Sequence, residues 1–438
     1  MSEVVATAQP GLAGKYQPYP EYKDSGISRL GNIPGHWQPK QLKRMASIKN
    51  GRDYKHVEAP EGFPVIGSGG QFTWSSEYIY NGESVLLGRK GTVDRPLYIN
   101  GPFWTVDTMF YTKVLNIIPA KFLYYAALTI EFGLYSTNTA LPSMTQEDLG
   151  NVHFGSPSYE EAENIAAFLD YEVTRIDRLI AKQQRLIELL KEKRQAVISH
   201  AVTKGLNPQA PMKDSGIEWL GQVPEHWRIS QPRYLCHFVG GGTPSKDNPV
   251  FWNGNIPWVS PKDMKQDFVS DSIDNISEHA ISESSVKLIP SDAVLMVVRG
   301  MILAHSVPVA LTTVPVTINQ DMKAMIVDSK RLNGEYWLRL LQGFKYILLD
   351  LTESSAHGTK CLRSEGFDKL SVPIPPLEEQ IQIIEYMNST LDRIDKLLLK
   401  ANNLIGFAEE RRTALISAAV TGKIDLRGWI PSADEVAA

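Results

Sequence analysis

Two stretches of about 45 residues, 159–203 and 377–421, carry a seam at spacings of 4, 3, 4, 3 without a break. In the first, the row is Leu169, Val173, Ile176, Ile180, Gln183, Ile187, Leu190, Arg194, Val197 and Ala201. In the second it is Met387, Leu391, Ile394, Leu398, Ala401, Ile405, Ala408, Arg412, Leu415 and Ala419. A heptad row of this kind demands a long helix, about 65 Å at 1.5 Å per residue, whose stripe must be covered. The economical cover is the other helix, although the heptads alone do not fix the direction of packing. Leu179 and Leu186, matched by Leu397 and Leu404, widen the stripe enough for a further partner surface. Gln183, Arg194 and Arg412 interrupt it. They read first as register-setting or snorkelling residues and second as a grip on phosphate.

The starts and stops are marked. Ser158 followed by Glu161 predicts a capping box, and Pro375-Pro376 before Glu378-Glu379 suits a first turn. Gly205 and Gly422 stand where a helix should close.

The two helices are also copies. Arg175-Ile176-Asp177 returns as Arg393-Ile394-Asp395, and Ala201-Val202-Thr203 as Ala419-Val420-Thr421, at a constant offset of 218. A second phrase repeats at an offset of 190: "KDSGISRLGNIPGHW" (residues 23–37) and "KDSGIEWLGQVPEHW" (residues 213–227). The segment between phrase and helix is therefore 28 residues longer in the second copy, and the two intervening segments match poorly. The resulting layout is a tail at 1–21, a first module at 22–156 and a central helix at 157–205. A linker and second module follow at 206–375, then a distal helix at 376–422 and a tail at 423–438. Shared framing around dissimilar contents suggests one scaffold carrying two working modules.

Within the modules the pattern is mixed α and β. "SVLLGRKG" and "DAVLMVVRG" are apolar runs ended by a basic-glycine turn, as for buried strands. "FWTVDTMFYTKVL" and "VPVTINQDMKAMIV" are further strand candidates, and "AKFLYYAALTI" and "GEYWLRLLQGF" predict short helices.

Several functions are disfavoured. No run of 18 apolar residues predicts a membrane span, and the start lacks the basic and apolar blocks of a signal peptide. Cys236 and Cys361 sit apart from each other and from any ligand-spaced histidine, so no metal site is expected. The cysteine usage points to the cytoplasm. "VGGGTPSK" and "GRKGT" fail the phosphate-loop pattern, and GxGxxG, HExxH, GxSxG and the Asn-Pro-Pro-aromatic loop of amino-methyltransferases are missing. No catalytic residue is assigned. His36 and His226, inside the repeated phrase, read as structural.

A net charge of −4 does not announce a nucleic-acid partner, but the local pattern allows one. Basic and polar residues stand on turns in both modules. In the first they are Lys43, Arg44, Lys49 and Arg52 from the basic run 40–55, then Gly69, Gln71, Arg89, Lys90, Asn138 and Ser143. In the second they are Thr243, Ser245, Lys246, Arg299, Asn319, Gln320, His357 and Lys360. Arg, Lys, Asn and Gln can read base edges, while Ser, Thr and backbone amides can hold phosphates. Each alone is an ordinary surface residue, and recurrence in two modules is what raises the set. A helical adaptor that binds only protein would carry the same heptads, and the basic turns favour DNA.

The duplicated phrase, "VPIPPLEEQIQIIEYM" (residues 372–387), "RIDRL" and "RIDKL", "AVISHAVT" and "ALISAAVT", and "GGGTPSKDNPVFWNGNIPWVSPKDM" (residues 240–264) together resemble the specificity subunit of type I restriction-modification enzymes. The resemblance implies an α+β chain with pseudo-two-fold internal repetition. Two target recognition domains, each a small sheet plus helices, would be separated by two long antiparallel coiled-coil helices. It implies a bipartite site in double-stranded DNA, and helices that set the unread spacer. The seam residues Ile176, Ile180, Ile187, Leu190, Leu391, Ile394, Leu398 and Ile405 would serve that spacer and subunit docking. Two modification subunits that methylate adenine from S-adenosylmethionine would dock, and motor-nuclease restriction subunits using ATP and Mg would join. This chain itself would hold no cofactor. The first module lacks the GGTP opening of the second, so contacts in one are not expected to transfer to the other.

Overall fold

The computed structural model describes residues 16–135, 142–354 and 359–430. Both heptad stretches are single helices, a central helix Tyr159–Lys204 and a distal helix Leu377–Val420. Each opens with two glutamates at its positive end. Each closes on a glycine in the left-handed region, Gly205 at φ +73° and Gly422 at φ +70°. At the second, the amides of Gly422 and Lys423 donate back to Ala419 and Ala418, a Schellman closure.

Packing groups the chain into two units, Met1–Gln184 with Asn402–Ala438, and Arg185–Ala401. Each unit thus holds one module and one half of each long helix. In the first unit Arg412 Nε lies 3.0 Å from Asp177 Oδ1. In the second the mirror-related Arg194 Nε lies 3.5 Å from Asp395 Oδ1. The start of one helix meets the end of the other in both units, so the pairing is antiparallel. The arginines that interrupt the seam are used across it as ion pairs. Ile176, Leu190, Leu391 and Ile394 are buried, while Ile180, Ile187, Leu398 and Ile405 are half-buried. Two helices cover only a narrow stripe, and the widening residues Leu179, Leu186, Leu397 and Leu404 are left exposed.

The repeated phrase is a joint. Residues 23–37 form a hairpin, Tyr22–Asp24 against Asn32–Pro34, and Met212–Asp214 pairs Gln222–Pro224 in the same way. Trp37 and Trp227 are fully buried. Trp37 Nε1 donates to Glu161 at 3.1 Å, and His36 Nε2 lies 2.8 Å from the same carboxylate. Trp227 and His226 hold Glu379 likewise, at 3.1 and 2.6 Å. The capping box is therefore half made: Ser158 Oγ accepts from the Glu161 amide at 3.2 Å, but the Glu161 carboxylate is taken by the phrase. Behind each joint stands the glycine that ends the other helix. A Cβ on Gly422 would lie 2.5 Å from Pro34, and one on Gly205 3.3 Å from Trp227. One phrase so fastens the start of one helix to the end of the other.

Each module is built on two main sheets, with shorter two-stranded pairings beside them. In the first, a four-stranded sheet runs Leu97–Ile99, Ser84–Gly88, Met109–Val114, Ala46–Asn50. A five-stranded one runs Glu58–Ala59, Gly70–Ser75, Phe63–Gly67, Pro102–Thr105, Tyr80–Asn81. In the second module a five-stranded sheet runs Cys236–Gly240, Met322–Val327, Ala293–Val297, Val309–Thr312, Phe268–Val269. A three-stranded one runs Asn275–Ile276, Ile256–Val259, Thr317–Ile318. The apolar runs Ser84–Gly88 and Ala293–Val297 are buried throughout, as strands covered on both faces must be. The predicted short helices are Ala120–Ala127 and Gly334–Gly343.

Two stretches read as single strands are each two. "FWTVDTMFYTKVL" breaks between Thr105 and Met109, and "VPVTINQDMKAMIV" between Ile318 and Met322. At that break the chain passes from one sheet to the other, from the five-stranded to the four-stranded in the first module and from the three-stranded to the five-stranded in the second. The poor match of the intervening segments conceals an equivalent backbone. The Gly51 amide donates to Met109 O, and the Arg52 amide to Thr105 O. Met322 and Ile318 hold the matching places in the second module, where the Gly242 amide donates to Ile318 O.

Helix-to-module contacts also correspond. Asp170 accepts from Tyr125 Oη at 2.8 Å and pairs with Lys121, both on Ala120–Ala127. Its copy, Asn388, accepts from Arg339 at 3.2 Å and donates to Glu335 at 2.9 Å, both on Gly334–Gly343. In the second unit Asp267 joins Arg339 at 2.5 Å, Gln342 at 2.8 Å and Arg194 at 3.3 Å. Burial raises the Asp267 carboxyl, but Arg339 and Arg194 outweigh burial and hold it below the usual carboxylate range.

Candidate nucleic-acid interface

Four segments meet at one end of one sheet in each module, the four-stranded sheet of the first and the five-stranded sheet of the second. In the first they are the strand end at Asn50–Arg52, the turn 106–108, the strand end at 88–90 and the segment 142–146. The Arg89 and Lys90 amides both donate to Thr108 O, at 2.9 and 3.2 Å. The Gly91 amide donates to Pro142 O at 2.9 Å, and the Met144 amide to Arg89 O at 3.0 Å. In the second module Val298 and Arg299 donate to Asp321 O at 2.8 and 3.2 Å. Gly300 donates to Lys360 O at 3.0 Å, and Leu362 to Val298 O at 2.9 Å. Lys90 bridges Ser143 as Arg299 bridges Cys361. Lys90 and Arg299 therefore occupy one structural position, and both are exposed.

The glycine of the strand end is forced by packing. A Cβ on Gly51 would stand 2.0 Å from Val106 O, and one on Gly241 1.9 Å from Asn319 O. A tryptophan indole closes the same corner in both. Trp104 Nε1 donates to Arg52 O at 3.0 Å and Trp258 Nε1 to Gly242 O at 2.9 Å. The "GGG" of the second module thus answers a close backbone approach, its Gly241 being the residue with no room for a side chain.

The predicted residues divide. Arg52, Arg89, Lys90 and Ser143 meet at this edge, with Lys49 exposed on the adjoining strand. Arg89 Nη1 donates to Asp107 O at 3.2 Å. Gly69 and Gln71 lie on the hairpin between Phe63–Gly67 and Gly70–Ser75, where Gly67 borders Val106. Lys43 and Arg44 are on the helical turn Leu42–Met45, at the opposite end of the strand Ala46–Asn50, about 16 Å away at strand rise. Lys43 Nζ donates to Asn151 there at 2.7 Å. The basic run 40–55 is therefore not one patch.

In the second module Thr243, Gln320, Arg299 and Lys360 meet at the edge. The Thr243 hydroxyl donates to Gln320 Oε1. Asn319 is buried, its amide spent on Asp321 at 3.3 Å and 3.1 Å, so it shapes the turn and does not face outward. Ser245 and Lys246 are exposed on the following loop, which Trp252 Nε1 pins through Ser245 O at 3.0 Å. Asn138 and His357 lie outside the described residues.

Three edge residues escaped the sequence reading. Gln146 donates to Asn50 Oδ1 at 3.0 Å, Lys323 to Ser364 Oγ at 3.2 Å, and Asp107 is exposed where the second module has Gln320. A search for cations passes over Asp107. The signal is positional: "VDTM" and "NQDM" end on the methionines whose amides donate to Val106 O and Asn319 O.

Among the described residues no helix is long and apolar enough to cross a membrane, and no three metal-ligating side chains group together. Burial pushes the Cys236 thiol up to about 12.

Comparison with known proteins bears on the whole chain. The sequence profile described as "Type I restriction modification DNA specificity domain" matches residues 34–190 and 224–405. The EcoR124I/EcoR124II specificity subunit of Escherichia coli is 35% identical over 188 residues, 42% of each protein. The first relatives are thus matched over about two fifths of their length. The EcoBI specificity subunit, also from Escherichia coli, is 21% identical over 92% of this chain and 90% of its own. Among solved structures, a chain described under complex assembly and conformational transition of the type I R-M system superposes with a TM-score of 0.69. It has 15% identity and covers 90% of this chain and 99% of that one. The HsdS subunit from Thermoanaerobacter tengcongensis follows at 0.51, with 15% identity, 90% of this chain and 98% of its own.

Proposed function

This chain belongs to the type I restriction-modification DNA specificity family, and we propose that it reads a bipartite site in double-stranded DNA, one half-site per module. The observation that supports this best is the shared edge: one backbone device, built twice, carrying exposed cations at the same place and different polar side chains around it. Phosphate contacts would position each module and a few base-edge contacts would specify. Two weak readers on one frame gain affinity by effective concentration only when both half-sites fall within reach.

The chain acts without catalysing. Its long helices set the unread spacer and dock two modification subunits that methylate adenine, with restriction subunits joining them, in the cytoplasm. S-adenosylmethionine, ATP and Mg belong to those partners. The exposed Leu179, Leu186, Leu397 and Leu404 suit a protein surface laid along the helices. The target adenine must leave the stack to reach a partner's active site.

The test is binding of the full chain, with and without modification subunits, to unmethylated genomic fragments at two salt concentrations. Steep salt dependence and enrichment of one split motif are expected. Salt-insensitive binding, or none, would overturn the DNA reading in favour of an adaptor for protein alone. Replacing Leu391, Ile394 and Leu398 by Asp is expected to abolish co-purification with modification subunits or misplace the modules.

A further inference from the structure

Placing the two edges on one frame separates residues by whether the position is shared. The Lys90 and Arg299 amides donate to the equivalent carbonyls Thr108 O and Asp321 O, and both residues precede glycines at φ +82° and +141° and are cationic and exposed. A charge kept at one place in two readers of different sequences suits the one ligand feature that does not vary, the phosphate backbone. The turn residue is the opposite case. Asp107 and Gln320 occupy one position, are both exposed, and differ in what they offer. A carboxylate only accepts. A carboxamide accepts and donates at once, the pattern that matches adenine N6 and N7 in the major groove.

We propose that Gln320 and Asp107 are base-selecting residues of their modules, Gln320 for an adenine and Asp107 for the exocyclic amine of a cytosine, while Arg299 and Lys90 grip phosphate without sequence preference. This rests on the DNA reading above. Thr243 positions Gln320. Its hydroxyl donates to Gln320 Oε1, which orients the carboxamide and leaves the amide hydrogens and a second lone pair for the base. Buried Asn319 holds the turn from below through Asp321. In the first module the Arg89 guanidinium grips the carbonyl of Asp107 itself.

The test selects bound duplexes from a random-sequence pool with the full chain and its Q320A, Q320E, D107N, R299A and K90A variants, at two salt concentrations. Q320A is expected to relax one position of one half-site roughly ten- to hundred-fold and leave the other half-site unchanged. Q320E should shift that position toward cytosine, an outcome that loss of folding cannot produce. D107N should alter only the other half-site. R299A and K90A should weaken every sequence alike and lower the slope of log affinity against log salt by about 1 each. T243V should give a smaller relaxation at the Gln320 position. If the parent chain enriches a split motif but Q320A and Q320E enrich the same one, this assignment fails and the DNA reading stands. A change of base preference in R299A would also overturn it. If the parent enriches no motif, the DNA reading falls and takes this assignment with it.

Discussion

Gly51 and Gly241 stand at the same corner of two modules whose sequences otherwise diverge. Each is fixed by a backbone carbonyl about where its Cβ would be, Val106 O in one and Asn319 O in the other. Around them the chemistry differs. The corner tryptophan arrives on Pro102–Thr105 in the first module and on Ile256–Val259 in the second, which are opposite members of the parallel strand pair. Beside the helices, Asp170 with Lys121 and Tyr125 is replaced by Asn388 with Arg339 and Glu335. What is held constant is where the main chain goes. What varies is which side chain satisfies a given place. A recognition scaffold needs that division, because edge residues can change without moving the edge.

The frame should be the most sensitive part in both units. Trp37 and Trp227 are fully buried and hold a helix start to a helix end. W37A and W227A should each cost about 4 kcal/mol in denaturant unfolding. A large loss from one and a small loss from the other would break the claim that the joints are equivalent.

The next effect belongs to the second unit. Asp267 faces the buried Arg339 guanidinium, Arg194 and Gln342. D267N should cost about 3 kcal/mol near neutral pH, since the buried Arg339 loses its nearer counter-charge and keeps Glu335 at 3.7 Å. The Asp267 carboxyl is held below its ordinary value. Its contribution is therefore present above the unfolded-state carboxylate pKa and is lost as pH falls through the folded value. The variant should show a flatter acid limb than the parent, checked by melting temperature from neutral to acid pH.

The two joint glutamates sharpen the comparison. Glu161 takes Tyr19, His36 and Trp37 and is 5% exposed; Glu379 takes His226 and Trp227 and is 24% exposed. Burial, and then the bond to Glu161, raise the Tyr19 hydroxyl, so it stays a donor. E161Q should cost about 2 kcal/mol and E379Q about 1. Equal losses would mean that the third donor adds nothing.

The helices could be read to within one residue at their far ends, because a 4-3 spacing is a local pattern, and the arginines that interrupt it pair across the two helices. The modules were legible only in part. Ser84–Gly88 and Ala293–Val297 announce themselves as apolar runs, but equivalence of the edges lies in backbone bonds and steric gaps. It leaves only thin marks, such as a glycine still at the offset of 190 and a methionine after "VDT" and "NQD". Nearness in sequence also misled. Lys43 and Arg44 share one basic run with Lys49 and Arg52, yet one strand carries the pairs to opposite ends. Asn319 looked like a reader because an amide on a turn can face either way, and burial decides which.

The smallest expected effect tests whether chemistry at a conserved position can be exchanged. Asp170 and Asn388 are copies at the helix-to-module contact. Asp170 pairs with a Lys121 that is 42% exposed, so D170N should cost only about 0.5 kcal/mol. N388D keeps the acceptor for Arg339 but replaces the donor to Glu335 with a second carboxylate. It should cost about 1 kcal/mol at neutral pH and less in acid, where one of the facing carboxyls takes a proton. If N388D were instead harmless at every pH, Glu335 would have to turn away from the contact. Asn388 would then meet the second module through Arg339 and not Glu335, and the correspondence with Lys121 and Tyr125 would be one of position without a shared role.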